Sequence, residues 1–181
     1  NFDDVDTELT VNDTIVLEGI TGTLTSTGSS DGEEMPAISN QEFVFSSANN
    51  STVTATTDAT GALDVQALLS TTYTAVGTNT SAESAISISD VIATLKAAVG
   101  ITELTNYQEL AADVNQDDQV TISDVIGVLK IAVGIEEGGT LILTDQGNDE
   151  FTITSNTTEL TAVALGDVDG SWANSAVADI L

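Results

Sequence analysis

A near-duplication constrains this chain more than any other feature of its sequence. Residues 88–100 recur 34 positions later as residues 122–134, and the chain's only two basic residues, Lys96 and Lys130, occupy the same repeat position. Each copy ends on Gly and places its Lys near the end, where the helix dipole favours a cation. Apolar residues recur at helical spacing in both copies: Ile88, Val91, Ile92, Leu95 and Val99, then Ile122, Val125, Ile126, Leu129 and Val133. The repeat predicts two similar amphipathic helices, each burying its apolar stripe against the other.

An oxygen-rich segment, residues 113–124, directly precedes the second helix. An EF-hand-type calcium loop needs side-chain oxygens at positions 1, 3, 5, 9 and 12 and a main-chain carbonyl at position 7, so that alternate residues point at the ion. Asp118 replaces the usual Gly at position 6, and Asp tolerates the left-handed conformation needed there better than most residues. The spacing predicts a Ca²⁺ site at Asp113, Asn115, Asp117, Gln119 (through its carbonyl), Thr121 and Asp124.

Two further segments resemble parts of such a loop. The 34-residue offset places Asn79, Ser81, Glu83, Ala85, Ser87 and Asp90 at the corresponding positions of the first repeat. With two carboxylates instead of three, this segment reads as a degenerate loop. Near the end of the chain, Asp167, Asp169 and Ser171 have the 1-3-5 spacing of half a loop, which makes them a second candidate ion site, and a Gly-containing β-turn is the alternative reading.

Composition excludes several classes of function. The 181 residues carry 29 acidic and two basic side chains, a net charge of −27, so the chain cannot neutralise nucleic-acid phosphates or dock electrostatically on an anionic membrane. The absence of His and Cys removes the commonest general base, the thiol nucleophile and the usual zinc ligands, and no enzyme activity is predicted. No stretch has the length of a membrane helix, so no membrane insertion is expected. Few Lys and Arg, no Cys and many Ser and Thr fit a secreted, cell-surface protein.

The rest of the chain predicts strands. Thr- and Val-rich alternation marks segments at 14–18, 42–46, 52–56, 72–76, 140–143, 151–154 and 160–165, separated by Gly, Asn and Asp turns. We expect an α+β fold, mainly a β-sandwich with an inserted helical pair. Its predicted units are strands in 1–77, the helical calcium-binding module in 78–136, and strands with the second calcium loop in 137–181. The late strands either complete the first sheet or form their own.

The segment 79–136 resembles the dockerin type I repeat, on the strength of Asp at loop position 12, a single helix after the loop, and the near-duplicate. The resemblance implies that Asp113, Asn115, Asp117, Thr121 and Asp124 donate side-chain oxygens and Gln119 its carbonyl. The Gly-Asp-Val-Asp-Gly-Ser stretch at 166–171 resembles a segment that often follows dockerin-like modules in secreted proteins. Residues 14–77, with Thr-Thr-Asp-Ala-Thr-Gly at 56–61 and Tyr-Thr at 73–74, resemble transthyretin-like and carboxypeptidase-regulatory-like sandwiches of bacterial surface proteins, which are Ig-like in shape.

These observations predict an extracellular calcium-binding structural protein, either a subunit of a fibre or surface layer or part of an adhesin, that self-associates. The alternative is a recognition module that docks onto a cohesin-like partner. Familiar dockerins use exposed residues at loop positions 10 and 11, which here are Ile88-Ser89 and Ile122-Ser123. Docking requires these residues to be exposed, whereas the structural reading buries Ile88 and Ile122.

Overall fold

The fold, taken from a computed structural model, is described for residues 15–17, 38–48, 51–65, 71–145, 147–153 and 160–172. Within these residues, strands alternate with a central run of helices. The elements in chain order are β1 (Ile15–Leu17), β2 (Glu42–Ser47), β3 (Thr52–Thr56), β4 (Leu63–Val65), β5 (Thr72–Thr78), α1 (Thr80–Ala85), α2 (Ile88–Ala98), α3 (Asn106–Ala112), α4 (Ile122–Ala132), β6 (Thr140–Thr144), β7 (Phe151–Thr152) and β8 (Thr161–Ala164). The predicted α+β class is confirmed.

A six-stranded antiparallel sheet organises the molecule. Its strands run in the order β3-β2-β5-β6-β8, and β7 pairs with the first residues of β5. A separate two-stranded sheet joins β1 to β4. Strands from before and after the helices therefore share one sheet, because β6 pairs directly with β5 in a register that sets Ala75 opposite Leu143.

Alternation of side chains explains which face of the sheet is buried. Along β2, Phe43 and Phe45 are buried while Glu42 and Val44 are exposed, as the period of two residues requires. The ring of Phe45 makes edge-to-face contacts with Tyr73 and Phe151, with ring centroids 6.5 and 6.4 Å apart. This aromatic group lies at the centre of the main hydrophobic core.

Helices α1 to α4 form one insertion between the adjacent strands β5 and β6. The insertion begins and ends at neighbouring points of the backbone, where the Asn79 amide donates to the Gly139 carbonyl at 2.8 Å. A smaller hydrophobic cluster holds α3 against β8 and the turn after it, through Ala111, Ala112, Val163 and Val168. No helix in the described part of the chain has the length and apolarity that a membrane crossing requires.

The repeat forms the two predicted helices, α2 and α4, which pack against each other, but the predicted burial of their apolar stripes is wrong. Four stripe residues on each helix are exposed: Ile88, Ile92, Leu95 and Val99 on α2, and Ile122, Ile126, Leu129 and Val133 on α4. The buried positions are instead Asp90 and Thr94, and Asp124 and Val128. At 3.6 residues per turn, the exposed stripe lies roughly 140–200° around the helix from the buried Asp. Each Asp turns inward, and the opposite, apolar face therefore turns outward.

Candidate metal centres

The loop before α4 adopts the conformation that its sequence predicts. Asp113 ends α3 as its C-cap, and Thr121 begins α4 as an N-cap whose side chain accepts from the Ser123 amide. Two residues between them, Gln116 and Asp118, have positive φ angles of 57° and 64°. Asp118, in place of the usual Gly, thus adopts the left-handed conformation expected at position 6. These turns fold residues 113–124 back on themselves.

Three carboxylates converge inside this loop. Ligand oxygens of Asp113, Asp117 and Asp124 all lie within 4.8 Å of one another, and this cluster is called the loop centre below. Asp113 and Asp124 are buried, whereas Asp117 is exposed. Three oxygens this close, with no basic group among the three residues, could hold a metal ion.

Main-chain amides hold the carboxylates of the loop centre in place. The amides of Asp117 and Asp118 donate to the two oxygens of Asp113, at 3.2 and 2.8 Å. Thr121 donates to Oδ2 of Asp124 through its amide at 2.9 Å and its hydroxyl at 3.0 Å. These hydrogen bonds leave lone pairs on each carboxylate, because one oxygen atom accepts from more than one direction.

The remaining predicted ligands lie in the same loop but outside the carboxylate cluster. Asn115 is exposed, and its amide donates to Oδ1 of Asp124 at 3.3 Å. Gln119 is also exposed, and its amide donates to Oδ1 of Asp117 at 3.1 Å. The main-chain amides of both residues therefore help to position the carboxylates of the loop centre.

A second cluster combines two predicted ligands with a residue that the sequence assigned to the degenerate loop at 79–90. Asp167 and Asp169, from the turn after β8, meet Asp90 of α2, and their ligand oxygens lie within 4.8 Å of one another. This cluster is called the split centre below, because its two parts are far apart in the chain. The Asp169 amide donates to Oδ1 of Asp90 at 3.0 Å across a separation of 79 residues.

The two centres share one hydrogen-bond pattern. In the split centre the amides of Ser171 and Trp172 donate to the two oxygens of Asp167, at 3.0 and 3.1 Å, as Asp117 and Asp118 do to Asp113. Ser87 donates to Oδ2 of Asp90 through its amide at 2.8 Å and its hydroxyl at 3.1 Å, as Thr121 does to Asp124. The split centre is thus built like a calcium loop whose first six positions come from 167–172 and whose last six come from 85–90.

Position 7 of this composite loop falls on Ala85. Its main-chain carbonyl accepts a hydrogen bond from the Ser171 hydroxyl at 3.3 Å, so this oxygen faces the residue at position 5. Ser171 also donates through the same hydroxyl to Oδ1 of Asp167 at 3.0 Å. The position that supplies a main-chain carbonyl in EF-hand-type loops is therefore represented in the split centre as well.

The degenerate loop expected at 79–90 does not form as one unit. Residues Thr80–Ala85 are helix α1, and Asn79 is its N-cap, accepting from the Ser81 amide at 2.9 Å. Asn79, Ser81 and Glu83 thus serve a helix rather than an ion loop. The second half of the segment contributes Ala85, Ser87 and Asp90 to the split centre.

Burial raises the free energy of the ionised carboxylates in both centres. Desolvation is the main cause that raises the pKa of Asp90, Asp113 and Asp167, in the last case to about 6, and neighbouring carboxylates add to it. Hydrogen bonds from main-chain amides oppose the shift in all three. A bound cation would remove the cost, since it provides the positive charge that the protein itself does not.

An open cleft of about 630 Å³ lies beside the loop centre. Its lining includes acidic residues from four segments: Glu103, Glu109, Asp113, Asp118 and Asp149. Of the two clustered centres, only the loop centre touches it, through Asp113, whose carboxylate is already held by two amides. Glu103, Glu109, Asp118 and Asp149 belong to neither of the two clustered centres.

Comparison of the chain with protein-family models, with curated proteins and with solved structures finds no match.

Proposed function

We propose that this is an extracellular structural protein that binds Ca²⁺ at the loop centre and at the split centre. The observation that carries the proposal is the recurrence of one arrangement at two places in the fold. Three carboxylates, a capping hydroxyl and amide donors at loop positions 3, 5, 6 and 9 occur in each centre, although one is a continuous loop and the other is assembled from two segments.

Calcium suits the donors better than other biological cations do. Each centre offers carboxylate and hydroxyl oxygens, and nearby main-chain carbonyls can add to them, as Ca²⁺ requires for six to eight ligands. Zinc and the later transition metals favour His and Cys, which the chain lacks. Mg²⁺ keeps several waters and is rarely held by a cage made only of protein oxygens. When bound, Ca²⁺ supplies positive charge and cross-links the segments that hold it.

The two centres would stabilise different parts of the fold. The loop centre closes the connection between α3 and α4 through Asp113 and Asp124. The split centre joins the turn after β8 to the start of α2 through Asp167 and Asp90, and so fastens the helical insertion to the edge of the main sheet. An ion present at 100 times its dissociation constant contributes about 2.7 kcal/mol per site to stability.

A thermal melt in calcium and in chelator tests this proposal. With both sites filled at 100 times Kd, we expect calcium to raise the melting temperature by roughly 10–20 °C. Magnesium at the same concentration should produce a much smaller rise. The double variant Asp90→Asn/Asp124→Asn should lose the calcium response, while the exposed Glu103→Gln retains it. An equal melting temperature in calcium and chelator for the unaltered chain would contradict the proposal.

The structural role itself is an inference from the whole chain. A protein with a net charge of −27 repels itself, and bound calcium offsets part of this repulsion. Together with the dockerin-like and transthyretin-like resemblances, this supports a secreted subunit of a fibre or surface layer, or part of an adhesin. With this role we also propose the sandwich arrangement of the strands and the division of the chain into the units 1–77, 78–136 and 137–181.

One observation favours a second candidate, a module that docks onto a cohesin-like partner. Docking requires exposed residues at loop positions 10 and 11, and Ile88, Ser89, Ile122 and Ser123 are all exposed. Titration of a purified type I cohesin module with the chain in calcium tests it. Saturable binding that weakens on Ile88→Ala/Ile122→Ala would support this candidate, and no binding at 100 µM would reject it.

A further inference from the structure

We propose that the exposed apolar surface of α2 and α4 binds the same surface of a second copy of this chain, forming a two-fold symmetric dimer. This surface, called the helix face below, comes from the two helices and the three residues that follow each of them. It consists of Ile88, Ile92, Leu95, Val99 and Ile101 and their repeat equivalents Ile122, Ile126, Leu129, Val133 and Ile135. The inference adds a specific contact between copies to the proposed structural role, and it does not rest on calcium binding.

The helix face is as large as one side of a typical protein–protein interface. Its ten side chains are between 39% and 72% exposed, which corresponds to roughly 900 Å² of surface, more than the largest apolar patch of an ordinary monomer. A stable interface of standard size buries about 800 Å² on each partner. Because α2 and α4 are in direct contact, both stripes belong to one helix pair. A second copy that covers both stripes would bury an area sufficient for a specific dimer.

The charge of the helix face also differs from that of the rest of the chain. The only acidic residues within α2 and α4 are Asp90 and Asp124, and both are fully buried on the inner side. Both basic residues of the chain, Lys96 and Lys130, lie on these helices. Beside the helix face, Lys130 pairs with Glu136 at 2.7 Å, which offsets the charge of that carboxylate. In a protein with 29 acidic side chains, these two helices are where a second copy can approach with less like-charge repulsion than at the more acidic parts of the described surface.

The internal symmetry of the helix face suits a two-fold dimer. Each exposed residue has an equivalent with nearly the same exposure, such as Ile88 at 52% and Ile122 at 49%, or Ile101 and Ile135 at 72% each. The helix ends match as well, with Gly100 and Gly134 at φ angles of 72° and 70°. In a two-fold dimer one patch must complement itself, and here each row of side chains would meet an equivalent row.

The described residues contain no other surface that matches the helix face. Apart from its ten members, the only exposed large hydrophobic side chains among these residues are Val44 and Val76, which are cross-strand neighbours on the main sheet. A head-to-tail contact would therefore place a large apolar surface against a mostly polar one. When the helix face of one copy packs against the helix face of another, the apolar surfaces of both copies are buried.

Sedimentation velocity of the full chain tests the dimer, over about 1 to 100 µM in 150 mM NaCl with calcium. We expect a dimer whose dissociation constant rises by about 100-fold or more in Ile92→Ser/Ile126→Ser, since two central side chains are lost from each copy. The matched control Val44→Ser/Val76→Ser also removes two half-exposed apolar side chains and should dimerise normally. Circular dichroism and melting curves check that both variants are folded.

Salt and spin labels distinguish the symmetric dimer from other contacts. Since each copy carries a net charge of −27, screening should tighten the dimer between 20 and 150 mM NaCl, opposite to a contact held by charge pairs. The chain has no Cys, so Ser89→Cys accepts a single nitroxide, and a two-fold dimer gives one narrow distance between labels.

Several outcomes would overturn the dimer. These are a monomer at 100 µM, equal weakening by the control variant, or a broad range of label distances from an open-ended assembly. A monomer that instead binds a cohesin module through the helix face would also overturn it, in favour of the second candidate function. A dimer that persists in chelator, in a chain that binds no calcium, would sustain this inference while the calcium proposal fails.

Discussion

Replacing Asp167 by Asn should have opposite effects on stability in calcium and in chelator. Its buried carboxyl has a pKa raised from 3.8 to about 6, which costs the metal-free fold on the order of 3 kcal/mol at pH 7. Asn removes this cost but also disturbs hydrogen bonds from Ser171 and Trp172, a loss of about 1 kcal/mol. The metal-free variant should therefore be more stable than the parent chain by about 1–2 kcal/mol.

In calcium the order should reverse. The variant loses the split centre, and with it about 2.7 kcal/mol when calcium is at 100 times Kd, so it should be less stable than the parent by about 1 kcal/mol. For a chain of this length, these differences shift the melting temperature by roughly 2–4 °C per kcal/mol. The melting curves of the two proteins should thus exchange their order between chelator and calcium.

Scanning calorimetry at pH 7 in both conditions measures this exchange. The control Glu103→Gln also removes one negative charge, from an exposed site outside both centres, and should shift the curves little and equally in both conditions. Equal destabilisation of Asp167→Asn in calcium and in chelator would contradict a role of this carboxylate in calcium binding, because it would mean that the carboxylate only holds the turn together.

Two further predictions concern pH and a close backbone contact. Since the raised pKa of Asp167 means that the metal-free fold binds its proton more tightly than the unfolded chain, stability in chelator should fall as pH rises from about 4 to about 6. Bound calcium would displace that proton, so the calcium-induced rise in melting temperature should grow over the same interval. Melting curves at half-unit pH steps measure this, and a calcium-induced rise that does not change with pH would contradict the prediction. Gly139→Ala should cost more than about 2 kcal/mol in urea titrations, because φ is +83° and the new Cβ would overlap the Asn79 carbonyl oxygen. Gly134→Ala, with a φ of +70° but open space around it, should cost only about 1 kcal/mol, and equal losses would contradict the role of the contact.

The conformation of the continuous loop at 113–124 was predictable because all its determinants are local. The 1-3-5-7-9-12 spacing, the helix that follows and the tolerance of Asp for positive φ are all encoded within residues 113–124. The structure accordingly brings Asp113, Asp117 and Asp124 together and gives Asp118 a φ of 64°. The strand segments were also predictable, since side-chain burial alternates along the six residues of β2 and the seven residues of β5.

The split centre was not predictable as a unit, because its two halves meet only through the topology of the sheet. The turn after β8 reaches the start of α2 because β8 pairs with β6, next to β5, from which the helical insertion departs. A signal did exist in the sequence. Asp90 is the repeat equivalent of Asp124 without a complete loop before it, and 167–171 is half a loop without a helix after it.

The apolar stripes were misread for a different physical reason. Helical periodicity identifies an apolar face but does not say what that face touches. The loop motif contained the missing information, because the Asp at position 12 must point towards the ion site, inside the fold. In α2 the stripe lies on the side opposite Asp90, so the position of the acidic residue, rather than the hydrophobicity of the stripe, sets which side faces solvent.

Calorimetric calcium titration of the chelated protein counts the ions that the loop centre and the split centre bind. We expect two ions per chain for the unaltered protein, one for Asp124→Asn and one for Asp90→Asn, the residue that meets Asp169 from 79 positions away. Two ions in Asp90→Asn would show that the split centre is not a calcium site, and no binding to the unaltered chain would contradict the account as a whole.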